Sequence, residues 1–481
     1  MYRSTPPEDV RFGQAAQIHE ISGLAATLLL LAALFVFSDG QPPAGPKVFA
    51  DITRLEQTVT RLRRRPFTRT CKKGVKTTPE LTEFLTRSYA VEYPPPLRDF
   101  YLTLWREFNL VPDDFSHKDT MINLLSVQIA GFYDPETGAL YVTERAMAFS
   151  EIILVHELMH ALQDCYLPLN PLLYLEDLGF KQGQAVRNDD VILARMAFVE
   201  GEAQLVTSRF IESMGRIFTP EYLKKNDYGQ MVSSHIQLTL TPPIIANTLM
   251  FPYTRGLNFM EVIYRINGWK TINHAYKRLP RSTEQIIHPE KYVRGEDPVM
   301  IRIKPIKALV AAGWKRTAEN SLGEFMVNEI IRGLTGGFAR GIRASCGWGG
   351  DSLLVFEKKD KRALLWYTTW DTVKDADEFF KYLGEGLDKQ PAKDTETLRS
   401  DATQRLTRGK DRHTWLTKKD QDVIYAAAPD EAALAVMRLL NPAMIEKLTW
   451  KERFGAVKKD AARETSEKSV DQETSKGETH D

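Results

Sequence analysis

Residues 151–164 read Glu-Ile-Ile-Leu-Val-His-Glu-Leu-Met-His-Ala-Leu-Gln-Asp, and the rest of the chain is read outward from them. His156 and His160 are four residues apart. On a helix of 3.6 residues per turn they share one face, so both imidazoles can reach one ion. Glu157, rotated about 100° from His156, can take a proton from a water that such an ion activates. Ile152, Val155 and Met159 continue an apolar stripe, and Ser150 is a candidate cap. This periodicity predicts a helix with one buried face from Ala148 to Cys165.

Neutral imidazole suits zinc, and a catalytic zinc usually takes three protein ligands plus water. The chain has three cysteines (Cys71, Cys165 and Cys346) and no C-x-x-C pair. A thiolate cluster is therefore excluded, and a metal here must be held mostly by histidine and carboxylate. Glu200 is the best candidate, on a strongly helical segment predicted from Asp189 to Met214 and capped by Asn188 or Asp189. Glu202 is its rival, rotated about 200° from it. Gly201 lies between them, and glycine in a helix interior costs about 1 kcal/mol relative to alanine. Its presence there predicts that another helix approaches closely. Gln204 follows Glu200 by one turn and can accept the N–H of a ligating histidine. Asp164, one turn after His160, can do the same or can close its helix.

The nine residues His156–Asp164 resemble the active-site helix of thermolysin-like zinc metallopeptidases and, more broadly, of the gluzincins. Val199–Ala203, Val-Glu-Gly-Glu-Ala, is similar to the segment around the third ligand in gluzincin aminopeptidases. The run from Phe251 to Tyr292 resembles bacterial HExxH peptidases of unknown substrate. These resemblances imply a zincin-like α+β fold and zinc-dependent hydrolysis of peptide bonds. His156, His160 and Glu200 would be ligands of Zn2+, and Glu157 the general base. They also imply an edge strand before the active-site helix, which Val127–Val142 is placed to supply. A donor to the developing oxyanion is implied downstream: Tyr253, Arg255 and His288 are available, and His288 is the one taken. The chain departs from these families in its longer spacing between His160 and Glu200 and in having Gln204 where an aspartate is usual. It also lacks the exopeptidase G-x-M-E-N motif.

Asp134–Gly138, Asp-Pro-Glu-Thr-Gly, is turn chemistry between two apolar runs and predicts a hairpin. Helical periodicity over residues 80–110 is interrupted by Pro94–Pro96, and residues 215–300 read as mostly helical. The expected organisation is an N-terminal segment 1–46, a catalytic domain 47–300, a small α+β domain 301–450 and a charged, disordered tail 451–481. Trp348, Trp366 and Trp370 are read as the core of the small domain. Arg54–Lys76 is basic and reads as a solvated helix face, with contact to anionic lipid or wall polymer as the alternative.

Ile21–Phe37 is apolar throughout and spans about 26 Å as a helix, between a signal-peptide core and a short membrane anchor. The body is therefore expected outside the cytoplasm, secreted or held by one N-terminal anchor. With 43% hydrophobic and 26% charged residues, fibrous and wholly disordered chains are excluded. Lys+Arg of 64 against Asp+Glu of 63 gives no general electrostatic drive toward nucleic acid. The expected partner is a peptide or protein substrate. A non-catalytic binding scaffold and a zinc hydrolase of a non-peptide amide are the alternatives. Endopeptidase or exopeptidase action and oligomeric state stay open from sequence.

Overall fold

A computed structural model describes residues 49, 51–129, 131–143, 150–173, 175–180, 185–214, 238–390 and 396–455. The apolar run 21–37 and the tail from 456 lie outside the described residues. Among the described residues, no helix is long and apolar enough to cross a membrane.

The N-terminal half is a small sheet clasped by helices. Helix α1 (Ile52–Arg63) buries Ile52, Leu55 and Val59 at helical spacing and leads to strand β1 (Lys72–Lys76). Helix α2 (Thr78–Glu92) starts at a capping box made by Thr77 and Glu80. Helix α3 (Pro95–Glu107) has proline in its first turn, where no N–H is needed. It buries Leu97, Phe100, Tyr101, Leu104 and Trp105 along one stripe. Helix α4 (His117–Gln128) is capped by Ser116 and runs toward the hairpin of β2 (Gly131–Asp134) and β3 (Ala139–Thr143). Gly138 has φ +64°, the left-handed conformation that the turn requires of glycine. The sheet order is β1-β3-β2, with β1 parallel and β2 antiparallel to β3, so β2 is an outer edge.

Helix α5 (Ser150–Asp164) packs on this sheet and carries the histidine motif. A short helix α6 (Leu169–Leu173) leads on to α7 (Asp189–Ser213), whose N-terminus is capped by Asn188. Helix α8 (Pro243–Asn267) lies along α7, and α9 (Trp269–Ala275), α10 (Thr283–Ile287) and α11 (Pro289–Arg294) complete this half.

The second half begins with β4 (Met300–Ile303), α12 (Lys307–Ala311), β5 (Lys315–Asn320), α13 (Gly323–Thr335) and α14 (Phe338–Ser345). It continues through β6 (Trp348–Lys358), β7 (Lys361–Trp370), α15 (Val373–Lys389), β8 (Glu396–Ser400) and β9 (Gln404–Arg408). It ends with β10 (His413–Lys419), β11 (Asp422–Ala428), α16 (Glu431–Met437) and β12 (Ile445–Leu448). Seven of these strands form one antiparallel sheet in the order β5-β6-β7-β11-β10-β9-β8. Alternation along β6 and β7 sends Leu353, Val355, Leu364 and Trp366 toward α13 and α15. Leu354, Phe356, Leu365 and Tyr367 face α12 and α16. The molecule is thus α+β, and its C-terminal sheet is larger than the small unit expected. Trp348, Trp366 and Trp370 are buried in it.

The chain boundary expected at residue 300 is not a boundary of the apolar core. Tyr89, Phe100, Trp105 and Phe108 share one core with Trp366, Phe379 and Tyr425 of the C-terminal sheet. The ring of Phe108 lies 5.8 Å from Trp366 and 5.5 Å from Tyr425. The charged composition predicts disorder from Lys451, but 450–455 is helical: Trp450 and Phe454 bury against Leu175, Leu178 and Met300.

Asp190, at the start of α7, is buried and accepts bonds from the N–H and hydroxyl of Thr283, both at 2.6 Å. Burial nonetheless pushes its carboxyl up to about 8. The folded chain therefore holds a proton that the unfolded chain releases near pH 4. This contribution is complete below about pH 4 and is lost as pH rises through about 8, at up to about 1.4 kcal/mol per pH unit. Glu284, pushed up to about 9 mainly by burial, acts in the same direction. Asp190→Asn should reduce the fall in thermal midpoint between pH 5 and 8; an unchanged slope would contradict this assignment.

Candidate metal centre

Helices α5 and α7 bring His156, His160 and Glu200 together. His156 Nε2 lies 3.2 Å from both His160 Nε2 and Glu200 Oε2, and His160 Nε2 lies 3.4 Å from Glu200 Oε2. One ion can cap a triangle of that size, and these residues form one of two described groups with donor atoms close enough to hold a metal. The other is Glu284, Glu296 and Asp371, where Lys291 Nζ lies within 2.8 Å of all three carboxylates and supplies the positive charge. Among the described residues, no lysine or arginine pairs with the triad in this way. Burial opposes a charge on His160, but the Glu200 carboxylate outweighs it and lifts the imidazole up to about 9. Burial likewise opposes the charge on Glu200, and the two imidazoles hold its carboxyl far below the usual range. The site is built to accept positive charge, as protons or as a metal ion.

The close approach expected at Gly201 is real. A Cβ on Gly201 would overlap the backbone carbonyl of Gly256 in α8, and one on Gly256 would overlap that of Ala197. This glycine crossing presses α8 against α7 beside Glu200. It also places Tyr253 at the site, with its ring stacked at 27° and 6.3 Å from the ring of His156. Burial raises the Tyr253 hydroxyl well above its usual range, and the carboxylates of Glu200 and Glu157 add to that. Tyr253 is therefore a neutral donor at ordinary pH.

Glu157 is buried, and its Oε2 accepts the N–H of Tyr133 at 2.7 Å. Burial raises its carboxyl above the ordinary range, as suits a proton acceptor that must later give the proton up. The same hydrogen bond fixes the edge strand β2 beside Glu157.

The remaining candidates fall elsewhere. Glu202 faces away from the triad into a buried ion pair with Arg63, 2.5 Å from Arg63 Nε to Glu202 Oε1. His160 Nδ1 meets Gln163 Oε1 at 2.9 Å, so Gln163 does what was expected of Gln204 or Asp164. Gln204 is buried, and its Oε1 has no hydrogen-bond partner among the described residues. Asp164 closes its helix by accepting Leu169 N–H at 2.9 Å, and it also holds Tyr133 Oη and Arg69. His288 sits at the joint of α10 and α11, where Nε2 lies 3.0 Å from Glu324 Oε1. That bond raises its pKa. Among the described residues it makes no contact with the triad, whereas Tyr253 does. Arg255 is exposed.

Sequence reasoning passed over Gln163 and Arg63. Gln163 could have been found, since it lies three residues after His160 on the same helix face. Arg63 lay inside the basic stretch read as solvated, yet it is wholly buried.

The family described as "Domain of unknown function (DUF8575)" matches residues 309–438, which lie within the C-terminal half and do not include His156, His160 or Glu200. No curated protein matches the chain. Among solved structures, one described as "a putative hydrolase with a novel fold" from Chloroflexus aurantiacus is similar. It has 16% identity and a TM-score of 0.35, and the match covers 57% of this chain and 98% of that one.

Proposed function

We propose that the chain is a zinc-dependent peptidase of gluzincin type with a zincin-like catalytic half. The observation that carries this reading is the His156–His160–Glu200 triangle with Glu157 beside it and β2, an outer strand of the sheet among the described residues, alongside. Zinc takes imidazole nitrogen and carboxylate oxygen at about 2.0–2.1 Å, which sets tetrahedral ligand atoms about 3.3–3.4 Å apart. The triad distances of 3.2, 3.2 and 3.4 Å fit that spacing. Two imidazoles and one carboxylate are also the donor types that zinc favours. When bound, zinc supplies Lewis acidity, which lowers the pKa of water and polarises a carbonyl.

The chain's own groups supply the rest. Glu157, oriented through Oε2 by the Tyr133 N–H, takes the proton of the attacking water and delivers it to the leaving amine. The Tyr133 N–H points away from β3, so in an antiparallel ladder the N–H and C=O of Gly131 point the same way. An extended peptide can pair with that edge through backbone groups alone. Tyr253, neutral and stacked on His156, donates its hydroxyl hydrogen to the oxygen that gains charge. Export or N-terminal tethering rests on the apolar run 21–37.

The test is digestion of a peptide library by the full chain with and without a chelator. Chelator-sensitive cuts support the reading, and chelator-insensitive cuts or none oppose it. Tyr253→Phe should lower kcat by about 10²–10³-fold with zinc content unchanged, whereas His288→Ala should leave kcat near wild type. The reverse pattern would return the donor role to His288.

A further inference from the structure

Behind His160, away from the triad, lies a buried polar chain that reaches back to the first helix. Gln163 Nε2 donates to the carbonyl of Val199 at 2.8 Å and to Glu202 Oε2 at 2.9 Å. These two bonds fix the orientation of the Gln163 amide. A flipped amide would set its oxygen against two acceptors and its NH2 against the imidazole. Gln163 Oε1 must therefore accept, and His160 Nδ1 carries the hydrogen. In the neutral imidazole that a metal requires, the lone pair of His160 is then on Nε2, which faces His156 and Glu200. Glu202 in turn accepts Tyr276 Oη at 2.5 Å and Arg63 Nε at 2.5 Å, and Arg63 and Glu202 are both fully buried. Arg63 is itself held by Asn273 Oδ1 at 2.7 Å and by the ring of Trp269, 4.5 Å below its guanidinium.

We propose that Arg63 and Glu202 are positioning residues for the metal centre, acting on His160 through Gln163. The proposal rests on the metal reading above. Metal-ligating histidines commonly give their second N–H to a carboxylate or carbonyl. Here the acceptor is an amide whose oxygen gains basicity from a carboxylate on its NH2 side. Arg63 grips that carboxylate at 2.5 Å from the side opposite the triad, which holds Glu202 away from the ion. The arrangement leaves Glu200 as the sole ligating carboxylate of the pair. It also makes α1, nearly a hundred residues before the histidine motif, part of the ion-binding apparatus.

The experiment measures zinc affinity by chelator competition, and the visible absorption spectrum after cobalt loading, on the full chain. The variants are Gln163→Leu, Glu202→Gln and the double variant Arg63→Met/Glu202→Leu. The double variant removes both buried charges together and should fold nearly as well as wild type. Each variant should bind zinc about 10–100-fold more weakly and shift the cobalt spectrum. Glu202→Gln keeps the side chain's size, removes its charge and turns one of its two acceptor atoms into a donor, so it breaks the network at the same point if the double variant folds poorly. Wild-type affinity and spectrum in Glu202→Gln would overturn the positioning role while leaving the metal centre standing. If wild type binds neither ion, the metal reading itself falls, and the proposal with it.

Discussion

Glu157→Gln is expected to lower peptide turnover by about 10³-fold or more while zinc binding and thermal stability stay near wild type. The substitution keeps the side chain's length and an oxygen that can accept the Tyr133 N–H, now bonded at 2.7 Å. It removes the one property that the mechanism needs, a basic oxygen beside the triad. The carboxylate does not belong to the ligand triangle, so ion affinity should be nearly unchanged. Kinetics on a cleaved peptide, with metal content measured on the same samples, separates the outcomes. Activity within tenfold of wild type would remove Glu157 from the role of base. Loss of metal together with activity would make it a ligand or a structural group instead.

The second large effect concerns a residue with no chemistry of its own. Replacing an interior helical glycine with alanine ordinarily stabilises a helix by about 1 kcal/mol. Gly201→Ala should do the opposite and cost about 3 kcal/mol. The new methyl would occupy the space of the Gly256 carbonyl, and backbone cannot move aside as a side chain can. Helix α8 must then separate from α7, drawing Tyr253 from His156 and loosening the setting of Glu200. Zinc affinity and kcat should both fall with the thermal midpoint. Gly384→Ala in α15 is the control, because its added Cβ meets Arg405 and Leu416 only at 3.9 Å, an ordinary contact. That variant should be neutral or slightly stabilising. Equal effects of the two substitutions would mean that the helix crossing is not what holds the site.

The parts of the site that the sequence made legible are those set by local periodicity. The i, i+4 histidines, the adjacent glutamate, the helix carrying Glu200 and the Asp134–Gly138 turn all follow from spacing within a single element. Even the crossing at Gly201 was legible, because an unfavourable residue inside a strong helix needs a reason. Which residues meet across elements was not. Sequence grounds favoured His288 over Tyr253, and only the packing of α8 on α7 brings Tyr253 to His156. Arg63 looked like one charge among many, and its partner lies 139 residues away. Strands β8 and β9 escaped notice because their residues are largely exposed or half-buried and show no apolar alternation. Strand β1, Lys-Lys-Gly-Val-Lys, was hidden in a basic run for the same reason. The shared core of α3 with the C-terminal sheet depends on contacts between Phe108 and Trp366, more than 250 residues apart in sequence, which no local pattern records.

The most direct measurement of the central claim is to strip the full chain of metal and titrate zinc back while following cleavage of one peptide drawn from the library digest. The account predicts no activity at zero zinc, full activity at about one equivalent per chain, and no recovery in His156→Ala at that level. Activity that persists without metal, or that returns equally in His156→Ala, would contradict it.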